Sequence, residues 1–308
     1  MAQRAIPTRP SAWVERMTMR FFLALSPRLT AMQTPEPPER LAPFENVTVP
    51  RRDGRGGLSA TWYPAAGRPR GGVLLLHPWM VWGKGYFHLR GRIEALRAAG
   101  YHALALDLSG FGASGPTAGY FDRDVEAGVE LLLQRIGDLP LHLWGVSAGG
   151  HWAHLYLSRT DVVAGAMFED VSPHLWEWSW REIPLYRPGY LLFRAVCRGA
   201  YRYLDIRRHA ASMSLGAVTY VSGERDRGVR PEDTRTLARL AGGRHHVVPE
   251  AGHLAAIKMA REEVISLALE TFRRAEDLTV AQRSGAALDT FEYRACQIDA
   301  SPLPATYF

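Results

Sequence analysis

Three side chains in this sequence have the types and the settings for acyl chemistry. Ser147 lies within Gly145-Val146-Ser147-Ala148-Gly149, directly after the apolar run Leu141-His142-Leu143-Trp144. A serine flanked this closely by glycines reads as the tip of a sharp strand-to-helix bend, where larger neighbours would collide. Such a bend exposes the hydroxyl and aims the N–H of Ala148 at a carbonyl under attack. A serine hydroxyl attacks near neutral pH only if a neutral imidazole takes its proton, and that imidazole needs a carboxylate to fix its tautomer. Two later segments offer those groups where strands should end. Ala217-Val218-Thr219-Tyr220-Val221 runs on to Asp226, and Arg244-His245-His246-Val247-Val248 runs on to His253. Ser147 as nucleophile, His253 as base and Asp226 as its carboxylate make a complete set, with Asp170 competing with Asp226 for the last role.

Groups so far apart in sequence need a scaffold that gathers strand ends. Val47 to Val49 and Leu58 to Tyr63 flank Asp53-Gly54 and predict an antiparallel hairpin. Strands and helices then alternate: Val73 to Leu76, a helix to Ala99, Tyr101 to Asp107, a helix from Asp122 to Ile136, Leu141 to Gly145, and Val163 to Phe168. This alternation predicts an α/β fold with a mostly parallel sheet covered on both faces, its loops gathering function at the carboxyl ends of the strands. The run Gly72 to Leu76 ends in His77-Pro78-Trp79, and Pro78 has no N–H. Trp79 is therefore the expected second oxyanion donor beside Ala148.

The chain resembles the α/β-hydrolase superfamily over most of its length, from about Phe44 to Ala275. The matching residues are the Ser147 pentapeptide, Gly223 to Asp226, Ala251-Gly252-His253, and Asp107-Leu108-Ser109-Gly110-Phe111-Gly112-Ala113-Ser114. The last is similar to the turn after the fourth strand of that superfamily. The order serine, acid, histidine is also the order of that fold. The resemblance implies an eight-stranded, mostly parallel sheet with helices on both faces and a helical cap. It also implies a serine hydrolase of the esterase, lipase or thioesterase kind, acting through an acyl-enzyme on a small-molecule ester or thioester. Pro78 departs from the His-Gly-x usual at its position. Acyl transfer on the same triad, or a non-catalytic binding protein of the same fold, are the alternatives.

Residues 171–214 interrupt the alternation and are expected to form the cap, between core segments 44–170 and 215–276. Five of the nine tryptophans fall here or beside His77, so His77, Trp82, Trp176 and Trp180 are candidate substrate contacts, in an apolar acyl or aromatic pocket. The cap holds seven arginines against three acids, a large part of the formal net charge of +6. The charge is local and no reading motif accompanies it, which argues against nucleic acid. Residues 1–43 carry Trp13, Met17, Phe21, Leu25 and Leu29 at four-residue spacing, an amphipathic segment expected to dock by that stripe over the cap, in a homodimer, or on a membrane surface. Residues 277–308 show no period.

No cofactor or metal is expected. Gly110 to Gly115 spells Gly-x-Gly-x-x-Gly, yet Pro116, Thr117 and Gly119 prolong the loop instead of opening a helix. His151 and His154 have no third ligand nearby in sequence. Cys197 and Cys296 are too few for a disulfide framework and fit a reduced, cytoplasmic setting, with membrane association left open.

Overall fold

Gly71–Leu76 and Leu141–Val146 are buried at every position, the mark of central strands covered on both faces. The computed structural model describes residues 6, 8–24, 34–52, 54, 56–79, 82–117 and 119–284, the side chains of 21–24 and 279–284 excepted. Its strands are β1 (Glu45–Pro50), β2 (Gly57–Tyr63), β3 (Gly71–Leu76), β4 (Tyr101–Leu106), β5 (Leu141–Val146), β6 (Gly165–Glu169), β7 (Ala217–Gly223) and β8 (Arg244–Val248). They form one eight-stranded sheet in the order β1-β2-β4-β3-β5-β6-β7-β8. Strand β2 is antiparallel to both neighbours, and the other pairs are parallel. The mostly exposed β1 closes one edge and ends in Pro50, which an edge tolerates.

The register lines up the strand ends that matter. Leu76 pairs with Gly145, Val146 with Glu169, Glu169 with Val221, and Gly223 with Val248. Chain order reverses across β3, which lies between β4 and β5, so the loops after β3 and β5 border the crevice such a reversal opens.

Alternate residues of each strand feed two cores. Helices α2 (Arg92–Ala98) and α11 (Arg261–Ser284) cover one face, where Ile93, Leu96, Val264 and Phe272 meet Val73, Leu75 and Val146. Helices α3 (Asp122–Ile136), α4 (Ala148–Leu157) and α9 (Pro231–Leu240) cover the other, where Val125, Val129, Trp152 and Leu237 join Leu74, Leu76 and Leu143. Short α10 (Ala256–Met259) precedes α11, which continues to Ser284, past the expected core boundary at 276.

Between β6 and β7 the chain forms α5 (Leu175–Glu182), α6 (Arg187–Val196), α7 (Arg198–Tyr203) and α8 (Ile206–Ala210). Trp176, Tyr190, Phe193, Tyr203 and Ile206 anchor this insert to the core.

The amino-terminal helix α1 (Ala12–Ala24) corrects the expectation that its apolar stripe docks over the cap, because the stripe's two described side chains, Trp13 and Met17, face outward. Trp13 and Met17 are exposed, whereas Glu15, Thr18 and Met19 are buried. The reason is an ion-pair cluster: Arg9 binds Glu15 and Asp122, and Arg123 also reaches Glu15, so α1 turns its acidic residue inward. Leu25 and Leu29 lie outside the described residues, as do Asp53 and Cys296.

Candidate active site

Ser147 sits between the end of β5 and the first residue of α4 at φ 48°, ψ −114°. A serine in that region carries about 1–3 kcal/mol of strain and persists only where its surroundings over-determine it. Those surroundings are visible. A Cβ on Gly145 would lie 2.6 Å from the Cα of Gly150, and one on Gly149 would lie 2.7 Å from the His77 carbonyl oxygen and closer still to that of Leu76. The Ser147 N–H donates to the Glu169 carbonyl at 2.8 Å, tying the bend to β6.

The loop after β7 supplies the carboxylate. Asp226 Oδ1 accepts the N–H groups of Gly228 and Val229 at 2.9 and 2.8 Å, which leaves Oδ2 for the Nδ1–H of His253 at 2.7 Å. The His253 ring thereby keeps Nε2 as an acceptor, 3.2 Å from Ser147 Oγ. Burial alone would lower the His253 pKa. The hydrogen bond and charge of Asp226, with Asp170 and Glu182 behind it, outweigh burial, and the net shift is upward from 6.5.

Asp170 stands close but does a different job. Its Oδ1 accepts the N–H of Gly223 at 3.1 Å and its Oδ2 that of Leu254 at 2.8 Å, so it clamps the backbone of the acid loop to that of the histidine loop. Burial pushes its carboxyl up to about 7, helped by the charges of Asp226 and Glu169 and opposed by His253. Asp170, Asp226 and His253 bring ligand-type atoms within 4.8 Å of one another. Their closeness is accounted for by the two carboxylates' bonds to the histidine loop.

Helix α4 begins at Ala148, whose N–H falls in the first turn and has no carbonyl four residues back within the helix. Close packing of Gly149 on the carbonyls of Leu76 and His77 brings this helix end against the loop that carries Trp79. His77 is buried: Nδ1–H donates to the Pro78 carbonyl at 2.7 Å, and Nε2 accepts the Leu108 N–H at 3.1 Å.

A search of curated protein sequences gives no match. A family model described as serine aminopeptidase, S33, matches residues 67–179, which include Ser147 but neither Asp226 nor His253. Among solved structures, an esterase of Pyrococcus furiosus is 20% identical over 79% of this chain and 97% of its own, with TM-score 0.66. The chain has the α/β-hydrolase fold. A thermostable carboxyl esterase of Bacillus coagulans is 16% identical over 74% of this chain and 97% of its own, TM-score 0.59. An acylaminoacyl peptidase of Pyrococcus horikoshii is 12% identical over 77% of this chain and 44% of its own, TM-score 0.59.

Within this fold, two of the residues expected to contact substrate, His77 and Trp176, are enclosed, while Trp180 is half-buried and Trp82 exposed. His77 has no exposed surface to offer a ligand, because both ring nitrogens hold the loop together. Trp176 is 1% exposed, stacked 5.3 Å from Phe193, so it glues the insert to the core. Trp180 packs on Tyr190 and under the Arg187 guanidinium, and Trp82 lines a surface cavity with Pro35, Glu36 and His88. The insert's Trp178 sets its ring against that of His253, at 6.1 Å between centroids. It was indistinguishable from its neighbours in sequence, since only the phase of α5 separates them.

Sequence reasoning also missed Arg92, buried under the sheet with both Nη2 contacts to the Glu169 carboxylate at 2.9 Å. Trp144 Nε1–H donates to the same carboxylate at 2.7 Å. Only a strand register could show that Glu169, which holds the Ser147 N–H by its backbone, has its charge answered from α2. The Gly110-to-Gly115 loop folds on itself, with Gly110 N–H on the Gly115 carbonyl and Asp107 accepting the N–H of Lys84.

Proposed function

We propose that this α/β-hydrolase cleaves a carboxylic ester or thioester through an acyl-enzyme on Ser147. The observation that carries the reading is the hydrogen-bond chain Ser147 Oγ to His253 Nε2 to Asp226 Oδ2 on a strained bend. His253 takes the Oγ proton as Oγ attacks the acyl carbon, and the N–H groups of Ala148 and Trp79 receive the developing oxyanion. His253 then gives its proton to the leaving alcohol or thiol, and water repeats the sequence to free the acid. Two of the solved structures it resembles are named esterases, which agrees with this reading. The helical insert acts as the cap, and Trp178 marks the side of it that faces the reacting groups.

Amide cleavage is the second reading, favoured by the match to the serine aminopeptidase model. The test is hydrolysis of p-nitrophenyl esters of graded acyl length beside aminoacyl p-nitroanilides, by this protein and by Ser147→Ala. Ester turnover lost in the variant is the expected result, and added alcohol that becomes acylated would identify acyl transfer. Folded protein that turns over no ester and takes no fluorophosphonate label on Ser147 overturns the enzyme reading in favour of a binding protein.

A further inference from the structure

We infer that the insert docks the molecule on an anionic lipid surface, with α6 lying among the headgroups and a basic cavity at α7 receiving a lipid phosphate. The inference goes beyond the proposed activity and does not depend on it. Tyr190 and Phe193 are the inward side of α6, buried against Trp176. At about 3.6 residues per turn, Leu191, Leu192 and Val196 fall on the outward side, and they are 52%, 65% and 72% exposed. Leu185, just before the helix, is 83% exposed. Exposed apolar residues are ordinary one at a time, but three on one short helix with a fourth just before it form a patch of the kind that marks an interaction site. Helix α1 packs on α7 and exposes Trp13 and Met17 as well.

Charge decides the occupant. Helix α6 contains no acid, and exposed Arg187 and Arg194 border its apolar sector. Of the three acids in the insert, Glu177 and Asp205 are engaged by Arg207, and the third, exposed Glu182, ends α5 and acts on His253, so the seven arginines leave the insert net positive. Helix α7, which follows α6 in the chain, contributes to a surface cavity of about 270 Å³ lined by Thr8, Gly199, Arg202 and Arg208, whose two guanidinium groups suit one phosphodiester. An apolar sector fringed by arginine is what an interfacial helix presents to anionic lipid. A second copy set on the same face would bring two sets of arginines together.

The experiment is co-sedimentation of the full-length protein with vesicles of phosphatidylcholine alone and of phosphatidylcholine mixed with phosphatidylserine. Binding is expected to the mixed vesicles, weakening as salt rises. Leu192→Glu with Val196→Glu should abolish it, and Arg202→Gln with Arg208→Gln should weaken it about tenfold or more. These positions are on the surface, so both variants should melt with the parent protein, and an unaltered melt separates loss of binding from loss of fold. Equal binding to both vesicle types, or none to the anionic ones, overturns the inference. So does a dimer in sedimentation velocity that Leu192→Glu dissociates, or a melting shift with inorganic phosphate in protein that binds no vesicle.

Discussion

Asp226 and Asp170 show how two carboxylates within reach of one imidazole take separate duties. Asp226 is bonded to the ring and to two loop amides, while Asp170 holds the amides of Gly223 and Leu254. Asp226→Asn should lower kcat/KM for an ester by about 10⁴-fold by presenting the wrong tautomer. Asp170→Asn should show in the melting temperature, with the rate largely kept, and parallel kinetics and melts of the two variants check both statements. The pH profile follows from His253, which must be neutral to act as base. Its pKa lies above 6.5, so kcat/KM should rise with pH through a midpoint on that side of 6.5. Glu182, exposed on α5, is among the charges that favour the imidazolium. Glu182→Gln should move the acid limb to lower pH, which a profile on a soluble ester would show, and a shift to higher pH would refute the assignment.

Among the elements, the bend around Ser147 was the most legible, because its glycines answer contacts that are local in sequence. The exception is Gly149, whose constraint comes from the carbonyls of Leu76 and His77 on another strand. Gly149→Ala must push α4 away from that strand end, and we expect a loss of about 1–3 kcal/mol on urea unfolding together with reduced turnover. Strand positions were legible from unbroken apolar runs such as Val73 to Leu76, since a covered parallel strand has no polar face. The direction in which α1 and α5 turn was not. The spacing of Trp13 and Met17 describes a face, but the ion pairs of Arg9 with Glu15 and Asp122 decide which face goes in.

For the molecule as a whole, buried histidines set the response to acid. His154 and His174 are fully enclosed, and burial holds both down at about 4 against an ordinary 6.5, despite hydrogen bonds that favour charge. Their neutral forms belong to the folded state, so the stability they contribute is full above 6.5 and is lost as pH falls toward 4. The melting temperature should therefore drop between pH 6.5 and 4, with these two sites adding about 1.4 kcal/mol per proton per pH unit. Calorimetry across that range checks it, and His154→Gln should flatten the slope. Among the described residues no helix is long and apolar enough to cross a membrane.

The sequence by itself determined the order of strands and helices, the bend at Ser147 and the three residue types its chemistry needs, because each follows from local periodicity or from what one functional group requires of another. Tertiary structure alone decided that Asp226 and not Asp170 bonds the His253 ring, that Trp178 and not Trp176 lies beside that ring, and that Arg92 answers Glu169. Those choices depend on strand register, helix phase and loop course, which bring together residues far apart in the chain and leave no mark on the neighbours of any one of them.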